Sequence, residues 1–504
     1  MLRLYCQSCG HGNSALGDNV NVLTLASMKA ATGHDAIGQF VEERILPGTD
    51  WNLVNVRRKS TRLEPPFAYW VTYRVRLGRG ELIFPEPDAD PVLDPTGSVT
   101  GADAVDDGEP ELPEPAWSEQ RELRLAARGV FDPELWNAYR KRIATLYGGR
   151  GCEPLTGLGY PVIFDDAQIV VWFYPVDPNL PGLWRSAQEG EVLRILRNHI
   201  GEVLDEPGKV SITGVKIDLA RYVPELSAII RYDIEAEPEA ASKTIFGKIQ
   251  PGDRGAESNR IMFEIWKAAQ RSEGRLVVPR PLGYHPAFEL YLQDAMPGEA
   301  IGSDRTKPEF LFSVLHAADA LAAIHESGIS TEKRLSFENE ISRLDRTLDQ
   351  FALVHPKAFF LLRELLIHVR EKLKRMPTED WLPTHGDYKY DQILHHDGAF
   401  SLIDFDYFAE AETSFDLAKY CAYVVPSAPL GWEQSVAAET ARTAFLQRYR
   451  ERRPQATLQR FPAYEAVFLG QRAMTMMWIQ ARGWDKAAES LLVMAMERLK
   501  SRAP

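Results

Sequence analysis

Residues 384–394 read THGDYKYDQIL and, past a turn at Asp397-Gly398, residues 401–408 read SLIDFDYF. Phosphoryl transfer needs a carboxylate beside the attacking hydroxyl, metal ions on the phosphates and fixed cations around the transferred group. Asp387, on a Gly-containing loop, supplies the carboxylate, and Lys389 places a cation two residues on. Gln392 follows with an amide oxygen able to ligate Mg²⁺. The apolar strand Leu402-Ile403 delivers a second carboxylate, Asp404. Mg²⁺ sites favour one or two carboxylates completed by phosphate oxygens and water, which this set can provide. Taken singly, Asp387 is a turn Asp and Asp404 a strand-end Asp. Together with His385, Lys389 and Gln392 at this spacing they argue for a site.

His385-Gly386-Asp387 with Gln392, then Ile403-Asp404-Phe405-Asp406, resembles the aminoglycoside phosphotransferase and choline kinase group of the protein-kinase-like fold. The resemblance implies that Asp387 is the catalytic base and that Gln392 and Asp404 hold the metals. It also implies that His385 and the Asp of D-L-A (Asp416, Leu417, Ala418) brace the loop. Asp387-x-Lys389-x-x-Gln392 is similar to the D-x-K-x-x-N loop of protein kinases, whose Lys touches the γ-phosphate. The usual Asn is replaced by Gln392, as in bacterial maltokinases, so an active variant of the site is implied. Upstream, Lys248 resembles the Lys that holds the α- and β-phosphates, with Glu264 on the next helix as its partner and Glu257 as the fallback. A solvated strand lysine and a solvent-facing helix Glu are the plain alternatives. The strand Leu290–Ala295 would be the hinge, with Gln293, Asp294 and Ala295 reading adenine, and residues 317–328 (AADALAAIHESG) resemble the first large helix of the C-lobe. No strong Gly-rich loop lies between the first two strands, as is common in that family. The resemblance spans roughly residues 206–504. It implies ATP and Mg²⁺ as cofactors and a hydroxyl of a small molecule (sugar, polyol or amino alcohol) as acceptor, with Gln392 tilting the choice to a sugar by analogy.

Outward from this segment, strands come first and helices afterwards. Val215–Leu219, Ala228–Ile234 and Thr244–Ile249 read as strands, Asn259–Ala269 as a helix and Glu289–Asp294 as a strand. From Phe310 the periodicity is helical: Leu311–Ser327, Phe337–Leu353, Phe359–Leu373, Ser435–Arg450, Tyr464–Ala481 and Lys486–Lys500. The pattern predicts an α+β, two-lobed fold, preceded by an N-terminal α/β extension. In the extension Phe40–Ile45 ends a helix, Trp70–Leu77 and Ile169–Tyr174 are strands, and Ser118–Tyr147 is helix-like. Residues 84–115 are rich in Pro, Asp, Glu and Gly with no Lys or Arg, which predicts a linker. The expected divisions are 1–83, the linker 84–117, a segment 118–205 packing on the kinase, an N-lobe 206–297 and a helical C-lobe 298–504. Val54–Val75 and Val215–Ile234 share a strand, Pro-containing turn, strand pattern, which is either a repeated hairpin or chance resemblance between two.

The chain has 504 residues, 45% hydrophobic and 26% charged, as in a globular protein of more than one domain. Its net charge of −13 argues against nucleic acid as the main partner. No apolar run is long enough to span a bilayer, no signal peptide is read at the N-terminus, and four cysteines make no disulfide framework, so a cytoplasmic location is expected. Cys6-x-x-Cys9 with His11 resembles half a zinc site without its second pair. Trp478 and Trp484 are either core or a sugar-stacking pair. Asp406, Glu410 and Glu412 are either a solvated loop or the wall of an acceptor cleft. The rival to an active kinase is a pseudokinase that binds without turnover, against which the retained Asp387, Lys389 and Asp404 argue. The H-G-D form and the short stretch from Asp404 to Asp416 argue against a protein kinase.

Overall fold

The computed structural model describes residues 34–64, 68–83, 116–130, 132–147, 161–165, 167–199, 210–426, 432–479 and 483–501. The chain divides into two units, residues 1–84 with 115–174, and residues 85–114 with 175–504.

In the first unit α1 (His34–Phe40) runs on into a wider turn, Val41–Ile45. It is followed by β1 (Asn52–Glu64), β2 (Ala68–Ile83), β3 (Ala116–Val130), α2 (Pro133–Tyr147), β4 (Val162–Phe164) and β5 (Ile169–Phe173). The strands form one antiparallel sheet in the order β1-β2-β3-β5-β4. Alternation sends Tyr69, Val71, Tyr73, Val75 and Leu77 to one face of β2. There they join Leu123 and Leu125 of β3 and Val171 and Phe173 of β5 under Ile37, Phe40 and Val41. The expected helix over Ser118–Tyr147 is therefore corrected. Its first half is β3, set by the two-residue period of Leu123, Leu125 and Ala127 and by pairing with β2. The helix begins only at Pro133, where Asp132 accepts from the Glu134 and Leu135 amides at 2.9 Å. The same pairing moves the expected boundaries. Residues up to 174 go with residues 1–84, because β3 is in register with β2 almost end to end. The acidic stretch 84–115 and Cys6, Cys9, His11 and Cys152 lie outside the described residues.

The second unit opens with α3 (Leu183–Ser186) and α4 (Glu189–Asn198), then β6 (Ser211–Val223), β7 (Ser227–Glu237), β8 (Lys243–Ile249), α5 (Arg254–Gln270), β9 (Pro281–His285) and β10 (Leu290–Asp294). The sheet order is β6-β7-β8-β10-β9. The α3–α4 segment is tied to this sheet. The Tyr232 hydroxyl donates to the Ser186 carbonyl at 2.8 Å, and buried Asp177 accepts from the Tyr222 hydroxyl (2.7 Å) and the Glu225 amide (2.8 Å). Gly182 has no alternative residue, since a Cβ there would lie 1.7 Å from the Phe288 carbonyl oxygen.

The helical lobe comprises β11 (Glu299–Ala300), α6 (Pro308–His325), β12 (Arg334–Leu335), α7 (Phe337–Asp345), α8 (Leu348–Val354), α9 (Pro356–Leu373), β13 (Trp381–Thr384), β14 (Ile393–His396), β15 (Ala399–Leu402), β16 (Ala409–Glu412), α10 (Ser414–Val424), α11 (Trp432–Arg452), α12 (Phe461–Ile479) and α13 (Trp484–Lys500). α12 is its axis, buried from Phe461 to Met474. The buried Glu465 carboxylate is answered by a two-pronged Arg442 guanidinium at 2.6 and 2.7 Å, which offsets the cost of placing it there. Two three-stranded sheets, β11-β14-β15 and β12-β16-β13, hold the loop between β13 and β14. The expected α+β, two-lobed arrangement, a five-stranded sheet followed by a helical lobe and preceded by an N-terminal α/β extension, is the one observed. Among the described residues no helix is long and apolar enough to cross a membrane.

Candidate active site

The loop after β13 is fixed by buried Asp416 in the first turn of α10. Its carboxylate accepts from the Thr384 hydroxyl (2.9 Å) and from the amides of His385 (2.7 Å) and Gly386 (3.1 Å). His385 is fully buried, its Nε2 is 3.0 Å from the Ile403 carbonyl, and its ring packs on Phe405 with centroids 4.6 Å apart. Both residues brace the backbone, as expected. Gly386 turns the chain at φ +82°, and a Cβ there would meet the Tyr407 carbonyl oxygen at 2.1 Å. This geometry presents Asp387.

Asp387 is gripped on both oxygens. Lys389 Nζ stands 2.9 Å from Oδ2 and Gln392 Nε2 donates to the same oxygen at 3.2 Å. Lys419 Nζ stands 2.8 Å from Oδ1 and also donates to the Gly386 carbonyl at 2.9 Å. Burial works to raise the Asp387 carboxyl, but the Lys419 and Lys389 ammonium groups outweigh it and bring it to about 2. Sequence reasoning missed Lys419. Its signal was a lysine one turn past Asp416 in an otherwise apolar stretch of α10.

Across the cleft, Asp404 sits at φ +70° at the end of β15. Lys248 Nζ, from β8, is 2.8 Å from Asp404 Oδ1 and also pairs with Asp406. Gln250 Nε2 donates to Asp406 at 2.9 Å. Against burial, the Asp406 and Asp404 charges hold the Lys248 ammonium above its ordinary value. Burial raises Asp406, whereas the Lys248 charge overrides burial at Asp404 and lowers it.

The structure thus brings Asp387, Lys389 and Gln392 together, and Lys248 with Asp404. It does not bring Glu264 to Lys248. Glu264 is half-buried on α5 and pairs with Lys267 at 2.9 Å one turn along, while Glu257 is taken by Arg260 at 2.9 Å. Lys248 instead pairs with Asp404 and Asp406, the half-buried carboxylates beyond β15. The segment Gln293, Asp294 and Ala295 is held in the sheet. The Asp294 amide donates to the Arg280 carbonyl (2.9 Å) and the Ala295 amide to Thr244 (3.3 Å), and the Asp294 carboxylate pairs with Lys243 (2.5 Å) and Arg280 (2.9 Å). Of the acidic residues further on, Glu412 is structural, bound by Arg460 and by the Tyr464 hydroxyl, while Glu410 accepts from Ser330. Trp478 and Trp484 pack against the helical core.

Gln392 Oε1 is buried with no hydrogen-bond partner among the described residues. A buried acceptor oxygen with no donor is a cost unless something else engages it, and a hard cation fits it. Among the described residues no three His, Cys, Asp or Glu side chains are grouped to hold a metal by themselves. A cation here would rest on Asp404, on Gln392 and on oxygens that a phosphate brings.

Residues 239–456 match the model of a phosphotransferase enzyme family (APH). No curated protein matches the chain. The chain is similar to the structure of a choline/ethanolamine kinase family protein from Mesorhizobium loti, at 15% identity, covering 56% of this chain and 88% of that one, with a TM-score of 0.40. It is similar to choline kinase from Cryptosporidium parvum Iowa II, at 12% identity, covering 61% and 94%, with a TM-score of 0.43. A third likeness is to aminoglycoside phosphotransferase APH(4)-Ia, at 12% identity, covering 60% and 99%, with a TM-score of 0.41. The matched stretch contains the site just described, from Lys248 to Lys419.

Proposed function

We propose that the second unit moves the terminal phosphoryl group of Mg²⁺-bound ATP to a hydroxyl of a small molecule, a sugar before a polyol or an amino alcohol. The observation that carries this reading is the pairing of an ionised, doubly held Asp387 with the vacant buried oxygen of Gln392 five residues on. When bound, the metal-nucleotide supplies the phosphoryl group and a charge that neutralises its oxygens. Asp404 and Gln392 would hold the metal. Asp387 orients the acceptor hydroxyl and takes its proton as the hydroxyl oxygen bonds to phosphorus and ADP departs. Asp387 must exchange one of its present bonds to do so. Lys389 is the one to move, since Lys419 is also anchored on the Gly386 carbonyl. Lys389, turned to the transferring group, and Lys248, on the remaining phosphates, stabilise the spreading negative charge.

The test is an ATP-consumption screen against sugars, polyols, amino alcohols and aminoglycosides, with two variants alongside. Asp387→Asn is expected to bind Mg²⁺-ATP nearly as the parent does and to turn over at least about a hundredfold more slowly. Asp404→Ala is expected to lose both. Equal loss of nucleotide affinity in the two variants, by calorimetry, contradicts these separate roles.

A further inference from the structure

The two five-stranded sheets have the same strand order, each with a helix after the third strand and a helical segment before the first. The correspondence extends to register. Leu53 opposite Leu77 and Val56 opposite Val75 are matched by Ile212 opposite Ala236 and Val215 opposite Ile234. The first strand of each hairpin is interrupted twice, once at the same place, between Leu53 and Asn55 and between Ile212 and Gly214, and once two residues apart, between Arg58 and Ser60 and between Leu219 and Arg221. Tyr73 opposite Leu125 is matched by Tyr232 opposite Ile245, and Gly129 opposite Ile169 by Ile249 opposite Leu290. The buried face is also the same: Val71, Tyr73 and Val75 correspond to Ile230, Tyr232 and Ile234, all buried. Shared order alone is common among antiparallel sheets. Shared register, interruption, helix placement and buried face together are not a property of two unrelated hairpins.

By this correspondence Arg128, opposite Trp70 and Val170, stands where Lys248 stands, opposite Ile229 and Tyr291. Arg74 falls on Asp233, Arg76 on Glu235 and Arg124 on Thr244, all on the Lys248 face of that sheet. At two of these positions the first unit carries an arginine where the second carries an acid, while Arg124 stands for Thr244 and Arg57 for the cation Lys216. Arg57 is directly opposite Arg74, and Arg74 directly opposite Arg124. Like charges facing across strands destabilise a sheet. Glu122 answers two of them at once, 3.1 Å from Arg74 and 3.8 Å from Arg124. Arg128 is held between the rings of Trp70 and Tyr139, 4.7 and 4.6 Å from their centres, which fixes its guanidinium. In a chain of net charge −13 such a row is not a by-product of basic composition.

We infer that strands β1–β5 with α1 and α2 repeat the lobe that carries Lys248, and that the arginine face of this repeat binds a polyphosphate group, two or more linked phosphoryl units. The row Arg57, Arg74, Arg124 crosses three strands, about 10 Å, the span of a di- or triphosphate. Arginine forks match phosphate oxygens in pairs.

The test is calorimetric titration of the full-length protein with inorganic tripolyphosphate, and in a second arm with ADP, in a Lys248→Ala background that weakens the other lobe's nucleotide site. One equivalent of tripolyphosphate should bind, more weakly as salt rises. The variant Arg74→Asp/Arg76→Glu installs the acids that the second unit carries at these positions, and should weaken binding at least about tenfold. Arg76→Glu alone, on an exposed side chain, should weaken it about threefold and covers the case in which the double variant misfolds. Binding of ADP as well places the diphosphate on a nucleotide; binding of tripolyphosphate alone points to a free phosphate chain. Absence of binding up to millimolar concentration overturns the inference, as does unchanged affinity in both arginine variants.

Discussion

Gly386 is where one atom decides the site. An added methyl group would lie 2.1 Å from the Tyr407 carbonyl oxygen, and the left-handed backbone there costs a side chain about 1 kcal/mol besides. Gly386→Ala should therefore leave both lobes folded, by far-ultraviolet dichroism, while shifting Asp387. Turnover is expected to fall at least about a hundredfold, the usual consequence of a misplaced reacting group. Turnover within threefold of the parent would show that the loop can yield. Gln392 offers a finer comparison. If its buried oxygen meets the metal, Gln392→Asn keeps the atom on a shorter arm and some activity, whereas Gln392→Leu keeps the bulk and loses both activity and the Mg²⁺ dependence of nucleotide binding. At this scale the loop was legible because its spacing is local: Asp387, Lys389 and Gln392 lie within six residues. Lys419 and the true partners of Lys248 were not, because they depend on which helix face and which cleft wall meet in space. Glu264 was the Glu inside the expected helix Asn259–Ala269, and its pairing with Lys267 one turn along α5 removed it.

Among elements, α6 and α11 meet through a titratable contact. His325, at the end of α6, is fully buried, and its Nδ1 lies 2.7 Å from the Tyr449 hydroxyl of α11. Burial, helped by Arg453, pushes the imidazole down to about 3, far below its ordinary 6.5. A base depressed by folding binds its proton more readily in the unfolded chain. The helical lobe should accordingly lose stability as pH falls below 6.5, and continue to lose it down to about 3. The slope from this group is about 1.4 kcal/mol per pH unit, or about 2 kcal/mol between pH 6.5 and 5. His325→Gln can still bond Tyr449 and cannot titrate, so its denaturation midpoint should change less over that interval. Equal slopes in parent and variant would mean that the imidazole is reached by water or proton without unfolding. The helices that make this contact were legible from their apolar period. β3 was not, because its arginines and its neighbour α2 extend a helix-like composition through a segment whose partner strand decides its conformation.

For the whole molecule, the position of the cut decides what survives. The acidic stretch 84–115 looked from composition like the natural place to divide the chain. The structure places β2 before it and β3 after it, paired over nearly their whole length. A fragment beginning at residue 116 keeps β3 but loses β2, leaving Leu123, Leu125 and Phe173 without the residues they pack on. It should aggregate. A fragment of residues 175–504 keeps every contact described for the second unit, including those of Asp177 and of the α3–α4 segment. It should be soluble and bind Mg²⁺-ATP with the affinity of the intact chain. A fragment of residues 206–504 lacks Leu180, Leu183, Val192 and Leu196, all buried, and the carboxylate that receives the Tyr222 hydroxyl and the Glu225 amide. Losing those buried apolar side chains forfeits about 1.5–3 kcal/mol for each, and stranding the Tyr222 and Glu225 donors adds to it. The three fragments should therefore rank in soluble yield and in melting temperature with 175–504 first. If the shortest fragment equals 175–504 in melting temperature and nucleotide affinity, the α3–α4 segment is an ornament of the lobe rather than part of its core.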